Sequence, residues 1–255
     1  MAHAMDPVTF TATDYAFSGP DQIPAGVTTL HMKNQGDDLH HIQLIRLMDG
    51  KTVEDFKGAL KADPMGLNLP KWIKHFGGPN AAVPGEGANG TVNLEPGTYL
   101  VTCLIPNTEG VIHASLGMIK TLNVVKSDQA VPAIARGDVE IILSDFVFSV
   151  NPALKSGKQT LRVVNKGKQA HEILLVMLPP DTSVKSFGNF FLPDAPPPDG
   201  PPPGKPIGGI SGIEPGATAS FEVDLPPGRY GVICFFIDQG RFHFEKGMML
   251  DVEVE

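Results

Sequence analysis

The chain has 255 residues, 42% of them apolar, which is enough for two ordinary domains or one large β domain. Glycine (28) and proline (24) are abundant, and this favours turns and short strands over long helices. Only 19% of the residues are charged and the net charge is −8, without a basic cluster, which argues against a nucleic-acid partner. The sequence has no apolar run long enough to predict a membrane span.

The start of the chain and its two cysteines leave several possibilities open. Residues 1–6 lack the charged and apolar segments of a signal peptide. Cys103 and Cys234 could form one disulfide, remain buried thiols or bind metal. Nothing in the sequence sets the oligomeric state.

The chain contains an internal repeat. Residues 8–17 resemble 139–148, and His40, the Pro96-Gly97 pair and Cys103 all recur 131 positions later. After the cysteine the offset is 130. We therefore predict a tandem duplication, with a first domain over 6–126, a linker over 127–137 and a second domain over 138–255.

Each half shows short apolar/polar alternations bounded by turn residues, which predict strands. The expected strands are 28–32, 42–47, 91–94 and 99–103 in the first half, and 161–164, 173–178, 221–225 and 230–234 in the second. This pattern predicts an all-β chain of two tandem Greek-key β-sandwiches with short helical insertions.

The two halves differ most in their middle segments. Thr52 to Asp55 resembles a capping box, so a helix is expected through residue 62, with a second turn over 69–76. The matching region of the second half contains the proline-rich loop 193–206, which is expected to be irregular. Such a loop is more often inert covering than a docking surface, and the sequence does not assign its role.

Both halves carry the same sequence of candidate metal ligands. Each has an upstream histidine and then a cysteine, a histidine and a methionine near its end. The candidate ligands are His40, Cys103, His113 and Met118 in the first half, and His171, Cys234, His243 and Met248 in the second. Two imidazoles, a thiolate and a weak axial thioether are the ligand set of a type 1 copper site.

These motifs resemble the cupredoxin family over nearly the whole chain, twice. The resemblance rests on the asparagine turn before each upstream histidine, the Cys–loop–His–loop–Met run and the Pro-Gly-x-Tyr that precedes each cysteine. It implies two cupredoxin-like sandwiches with up to two copper ions (Cu+/Cu2+) per chain. It also implies single-electron transfer through an exposed edge of a histidine ligand, to an unidentified redox partner protein. An exported protein, periplasmic or extracellular, is expected.

Each ligand residue taken singly has a simpler explanation. A lone cysteine, histidine or methionine in a strand is usually a core residue. The conjunction of four suitable residues at family spacing, repeated in one chain, favours copper. His41 could replace His40 as a ligand, but strand alternation points it the other way, and the repeat pairs His40 with His171. The roles of His41 and its counterpart Glu172 stay open.

The sequence argues against an enzyme. It has no His-x-His pairs for a trinuclear copper cluster, and Thr102 and Ile233 stand where nitrite reductases have a histidine before the cysteine. A multicopper oxidase or nitrite reductase is therefore the less expected function. The Asp37-Asp38 pair is expected to be a surface turn without a partner group. Copper delivery without a redox circuit, and a copper-free binding or structural module, remain alternatives, as does loading of one site only.

Overall fold

The computed structural model describes residues 6–127, 133–192 and 200–255. The elements of the first half are β1 (Val8–Thr13), β2 (Ala16–Ser18), β3 (Gln22–Pro24), β4 (Gly26–Asn34), β5 (Gln43–Leu47), α1 (Val53–Ala62), β6 (Ile73–His75), β7 (Gly87–Leu94), β8 (Gly97–Thr102), a 3-10 turn (His113–Leu116) and β9 (Ile119–Val125).

The second half repeats most of this order. Its elements are β10 (Val139–Ser144), β11 (Val147–Asn151), β12 (Gly157–Asn165), β13 (His171–Leu178), α2 (Val184–Asn189), β14 (Lys205–Ile213), β15 (Thr218–Leu225), β16 (Gly228–Ile233), β17 (Ile237–Asp238), β18 (Arg241–Phe242), a 3-10 turn (His243–Lys246) and β19 (Met249–Val254).

Each half folds as two packed layers. In the first half β2-β1-β4-β7 form one layer and β3-β9-β8-β5-β6 the other, and in the second half these layers are β11-β10-β12-β15 and β14-β13-β16-β19. β1 runs parallel to β4, and β10 runs parallel to β12 in the same way. The predicted all-β fold of two tandem Greek-key sandwiches with short helical insertions is confirmed.

The core lies between the layers because the strands alternate. β4 shows this directly, since Leu30 and Met32 are buried while His31 between them is exposed. β13 is buried along almost its whole length, because α2 covers its second face through Val184 and Phe187. Both metal-ligand cysteines and both methionines proposed above belong to the main core cluster.

The predicted helix is confirmed, and of the predicted second turn over 69–76 only the part before Ile73 is a turn, in which the Ile73 N–H donates to the Pro70 carbonyl at 3.0 Å. α1 begins with the expected capping box, in which Thr52 and Asp55 bond each other's backbone N–H groups. Within 69–76, however, Ile73–His75 forms strand β6, because the edge of β5 offers it hydrogen-bond partners and Ile73 is buried there. In the described residues, no helix has the length and apolar character of a membrane span.

Two predicted segments lie partly outside the described residues. Between β9 and β10 the structure describes no helix or strand at 126–127 and 133–138, and residues 128–132 of the predicted linker are not described. Of the proline-rich loop, 193–199 are not described. Its described remainder is irregular over 200–204, and β14 begins at Lys205.

An antiparallel pairing of residues 76–82 with 207–213 joins the two halves. Phe76 pairs with Ile213, Pro79 with Ile210, and Ala82 with Ile207. Pro79 and Ile210 are themselves equivalent in the repeat, so a pseudo-twofold axis passes through this pair. The halves therefore meet as the two copies of an isologous dimer would.

The hydrogen bonds of this interface follow the same symmetry. The Ser211 hydroxyl donates to the Ile42 carbonyl at 2.7 Å, and its repeat equivalent Asn80 donates through Nδ2 to the Ile173 carbonyl at 3.0 Å. The Ser211 and Asn80 side chains are both buried. Each one holds the segment of the other half that carries the upstream histidine, His40 or His171. The interface therefore fixes both candidate sites relative to each other.

The layer that contains β7 in the first half continues into the layer that contains β15 in the second half. β15 pairs with β7 at Ser220 and Thr91, and Asn89 exchanges hydrogen bonds of 2.8 Å with the backbone of Glu222. As a result β11-β10-β12-β15-β7-β4-β1-β2 form one eight-stranded sheet. The repeat predicted two sandwiches, and the structure shows that they share one of their sheets.

Glycine is required at the equivalent positions Gly78 and Gly209 of the interface. Their φ angles are +137° and +132°, in the region that L side chains rarely adopt. A Cβ on Gly78 would lie 2.4 Å from the Ile42 carbonyl oxygen, and one on Gly209 would lie 2.0 Å from that of Ile173. Within each half, the interface segment can lie against the strand that follows the upstream histidine only because both side chains are absent.

We predict that Gly209→Ala lowers the free energy of unfolding by roughly 3 kcal/mol or more, because strain and a backbone clash add. Gly216→Ala is the matched control, since Gly216 has a φ of +81° but no atom within 4 Å of an added Cβ. Gly216→Ala should lower the free energy of unfolding by only about 1 kcal/mol, from backbone strain alone. Urea unfolding of the metal-free chain measures both, and equal losses would contradict the clash with the Ile173 carbonyl.

Candidate metal centres

The structure brings His40, Cys103 and His113 together in the first half. Their ligand atoms lie within 4.8 Å of one another, and all three residues are buried. His40 Nδ1 is 3.0 Å from His113 Nδ1, and Cys103 Sγ is 3.4 Å from His113 Nδ1 and 3.9 Å from His40 Nδ1. One thiol and two imidazole nitrogens therefore face a common point.

The second half forms the same group from His171, Cys234 and His243. These ligand atoms also lie within 4.8 Å of one another and are buried. His171 Nδ1 is 3.0 Å from His243 Nδ1, and Cys234 Sγ is 3.4 Å from His243 Nδ1. In the described part of the chain, no other group of three His, Cys, Asp or Glu side chains is close enough to hold a metal ion.

Local structure positions each donor. His40 lies in a β-bridge with Ala82, and Cys103 follows the last residue of β8. The loop then returns as the 3-10 turn that begins at His113 and ends at Gly117, whose φ of +107° reverses the chain. The same order of elements presents His171, Cys234 and His243.

Met118 and Met248 flank the cysteines through the backbone. The Met118 carbonyl accepts from Cys103 N at 3.3 Å, and Met118 N donates to the His113 carbonyl at 3.0 Å. Met248 makes the matching bonds with Cys234 and His243 at 3.2 and 3.0 Å. Both methionine side chains are fully buried in the cluster that contains the cysteines.

The donor set fits a copper ion. The point equidistant from the three donor atoms of the first site lies about 2.0 Å from each, the bond length of imidazole nitrogen to a first-row metal and slightly short for sulfur. Two imidazoles and one thiolate in a plane, with a thioether nearby in the core, are the donors of a type 1 copper site. The chain therefore has two buried His-Cys-His groups suited to type 1 copper.

Two aspartates that the sequence analysis did not assign complete these sites. Asp14 Oδ1 is 2.5 Å from His40 Nε2, and Asp145 Oδ1 is 3.0 Å from His171 Nε2. A ring that donates from Nε2 keeps its Nδ1 lone pair free for a metal, as carboxylates beside metal-binding histidines ensure. Both aspartates occupy the same position in the repeat, and this was the signal that could have identified them.

The pKa of Asp14 is held below its usual value. Burial acts in the opposite direction, but hydrogen bonds from the Asp37 N–H, the His40 ring and the Asp38 N–H outweigh it. The balance at Asp145 is similar, with burial opposed by the Lys168 N–H and the His171 ring. Both carboxylates are therefore ionised at neutral pH and able to accept from the histidines.

His41 and Glu172 perform one structural task with different chemistry. Each accepts a hydrogen bond from the backbone N–H of the residue after the cysteine. The Leu104 N–H donates to His41 Nε2, and the Phe235 N–H donates to Glu172 Oε1, both at 2.9 Å. Their own N–H groups donate to the cysteine sulfurs at 3.5 Å. His41 is not part of the donor group, in keeping with the preference for His40.

Burial is the main influence on the pKa of both residues. It lowers the pKa of His41 to about 3 and raises that of Glu172 to about 7. The first site therefore has a neutral ring beside its cysteine, and the second has a carboxyl group that titrates near neutral pH.

The expected exposed histidine edge is wrong at both sites. His113 and His243 are each only 1% exposed, and their Nε2 atoms are buried without a hydrogen-bond partner. The Tyr15 ring covers His113 with the ring centroids 4.7 Å apart, and Phe146 covers His243 at 5.2 Å. These aromatic residues are repeat equivalents, so the cover is a feature of both halves.

The polar groups around Tyr15 differ from those around Phe146. Tyr15 donates to Asp38 at 2.8 Å, and Asp38 Oδ2 lies 3.7 Å from His113 Nε2. The expectation that Asp37-Asp38 has no partner group is therefore wrong for Asp38. At the second site Lys246 lies 5.0 Å from the centroid of the Phe146 ring. One site thus has a carboxylate at its outer side and the other an ammonium group.

Comparisons with known proteins found matches of low similarity only among solved structures. No family model and no curated protein matches the chain. A reduced auracyanin from Roseiflexus castenholzii matches with 19% identity over 48% of this chain and 99% of that chain, with a TM-score of 0.35. Auracyanin A, a "blue" copper protein from Chloroflexus aurantiacus, matches with 25% identity over 47% of this chain and 99% of that chain, at 0.32.

A whole-chain match is the Blue Copper Oxidase from Nitrosomonas europaea, with 17% identity over 97% of this chain and 84% of that chain, and a TM-score of 0.28. All of these scores are below 0.5, so the assignment depends on the strand topology and the donor groups. Two Greek-key sandwiches, each with a buried His-Cys-His group at the equivalent place, define a tandem pair of cupredoxin folds.

Copper binding at the first site should strengthen as the pH rises. Burial raises the pKa of the Cys103 thiol to about 12 and, with the nearby His40, lowers that of His113 to about 4. At neutral pH a metal therefore displaces one proton, from the thiol, and the apparent affinity should rise about tenfold per pH unit between about pH 6 and 9. Chelator competition with the Cys234→Ser variant measures this slope, and a flat profile would contradict it.

Asp14→Asn should weaken copper binding at the first site by roughly tenfold or more, because an amide holds the His40 ring less strongly and makes it less basic. The matched control is Asp37→Asn, since Asp37 lies in the turn before His40 but has an exposed side chain. Isothermal titration in the Cys234→Ser background compares the two. Equal affinities for both variants would show that Asp14 does not position the ligand.

Proposed function

We propose that this chain is a copper-binding electron-transfer protein with a type 1 site in each half. The observation that carries the proposal is the convergence of one cysteine sulfur and two histidine Nδ1 atoms, twice, in buried and superposable settings. When bound at such donors, copper supplies a one-electron couple whose potential the thioether and the surroundings tune. Met118 and Met248 are the proposed axial ligands.

The residues around the donors suit repeated oxidation and reduction. The histidine rings are held by Asp14 and Asp145, and each cysteine sulfur accepts a backbone N–H from the neighbouring strand. Strand pairing therefore sets the donor positions before a metal arrives. A site that needs little rearrangement between oxidation states exchanges electrons with a small barrier.

The aromatic covers suggest where electrons enter and leave. Because His113 and His243 have no exposed edge, the route to a partner passes the rings of Tyr15 and Phe146. The expected partner is a protein that carries single electrons, and the net charge of −8 would favour a basic face on it. We also propose an exported location, as the family resemblance implies.

Copper delivery is the second candidate function. It would use the same donors, but their burial disfavours it, since transfer of an ion to an acceptor needs a ligand that the acceptor can reach. The two functions differ in what the loaded chain does. A carrier cycles its electrons without losing copper, whereas a delivery protein releases copper to an acceptor at a useful rate.

Titration of the chain with Cu(II) should produce an intense band near roughly 600 nm from the copper thiolate. Cys103→Ser and Cys234→Ser should each remove about half of this band, because each removes one thiolate. His31→Gln is the control, since His31 is exposed on β4 and outside both groups. A chain that stays colourless, or a band that both serine variants retain in full, would overturn the proposal.

Reversibility separates the carrier from the delivery protein. We expect ascorbate to bleach the band and ferricyanide to restore it fully over several cycles, with the copper content unchanged. Loss of copper to a Cu(I) chelator in each reduced phase would favour delivery instead.

A further inference from the structure

A single buried side chain, that of Asn80, lies between the two candidate sites. Asn80 belongs to the first half and is 3% exposed. Its Nδ2 lies 3.3 Å from Glu172 Oε2 in the second half, and its side chain is near enough to the His41 ring of the first half to raise the pKa of that ring against the larger effect of burial. The side chain therefore touches the residue that follows the upstream histidine of each site.

These neighbouring residues connect the two cysteines across the interface. On one side, His41 accepts the Leu104 N–H, and Leu104 is bonded directly to Cys103. On the other, Glu172 accepts the Phe235 N–H, and Phe235 is bonded directly to Cys234. We call His41, Asn80 and Glu172, with these two N–H groups, the bridge.

The bridge is held rigidly in place. The Asn80 N–H donates to the Gly209 carbonyl at 3.0 Å, Nδ2 donates to the Ile173 carbonyl at 3.0 Å, and Oδ1 accepts the Ala81 N–H at 2.8 Å. All three bridge side chains are buried, where hydrogen bonds are strong and polarise one another. A network of packed side chains and hydrogen bonds is a physical route by which distant sites can be coupled.

The repeat shows that the bridge is more than a symmetric interface contact. The equivalent of Asn80 in the second half is Ser211, whose hydroxyl bonds the Ile42 and Gly78 carbonyls. A serine is thus enough to anchor the opposite strand. The asparagine does the same at Ile173 and also reaches the two residues beside the cysteines.

We propose that the bridge is the path by which the two sites of one chain exchange single electrons. This inference rests on the proposed function. One electron leaves the reduced site and arrives at the oxidised site, so that one copper is oxidised and the other reduced. No bond forms or breaks, no proton moves, and the electron enters the chain from an external one-electron reductant.

The first part of the test uses the metal-free chain. Asn80→Ser copies the residue found at the equivalent position, so it should fold and keep the bond to the Ile173 carbonyl. We expect it to shift the amide proton resonances of both Leu104 and Phe235. Ser211→Ala, which removes a buried hydrogen bond from the same interface, should leave both resonances in place. If Asn80→Ser shifts neither, the bridge does not exist.

The second part measures electron exchange in the copper-loaded chain. A Met248→Gln background changes the axial ligand of the second site only and so separates the two sites in absorption and potential. A pulse then injects about one electron per ten chains. In the parent, this electron should move from one copper site to the other in a first-order phase whose rate does not depend on protein concentration. Asn80→Ser should slow this phase about tenfold or more, because a through-space gap replaces bonded contacts.

Control variants distinguish the loss of the Asn80 contacts from a general loss of folding or copper. Ser211→Ala should keep the rate within about twofold of the parent. Copper content and melting temperature confirm that each variant folds and loads, and Asn80→Ala serves as a second variant that removes both contacts. Equal rates in the parent and a folded Asn80 variant, or a blue parent without a first-order phase, overturn this inference alone. A parent that is blue at neither site overturns the proposed function as well.

Discussion

The constraint on which both sites depend is the approach of two imidazole Nδ1 atoms to 3.0 Å in a buried place. Two lone pairs at that distance repel each other unless a proton or a cation lies between them, and burial removes the water that could relieve the repulsion. The nearby thiol is protonated in the metal-free chain because burial raises its pKa. A metal that binds both nitrogens and the thiolate satisfies all of these groups at once.

The fold holds this arrangement from two sides. Pairing of β8 and β16 with their neighbours fixes the cysteines, and the carboxylates of Asp14 and Asp145 fix the upstream histidines. The pseudo-twofold interface then joins the strands that carry these histidines, through Asn80 and Ser211. The two sites therefore belong to one continuous framework, in which a change at the interface reaches both.

The histidines and cysteines that the structure brings together could be singled out from the sequence, because metal ligation needs particular residue types at fixed spacing and the repeat showed every one of them twice. It did not predict the interface, because residues 76–82 and 207–213 are short, glycine-containing segments without a periodic apolar face. It also missed the cover over each second histidine. Tyr15 and Phe146 read as ordinary strand-end aromatics, and only the folded turn places them over rings that lie about 100 residues away.

The measurement that tests the central claim most directly is the copper content of the reconstituted chain after removal of loosely bound ions. The account predicts two copper ions per chain, and one in each of the single variants Cys103→Ser and Cys234→Ser. A wild-type chain that retains no copper, or serine variants that retain as much as the wild type, would contradict it.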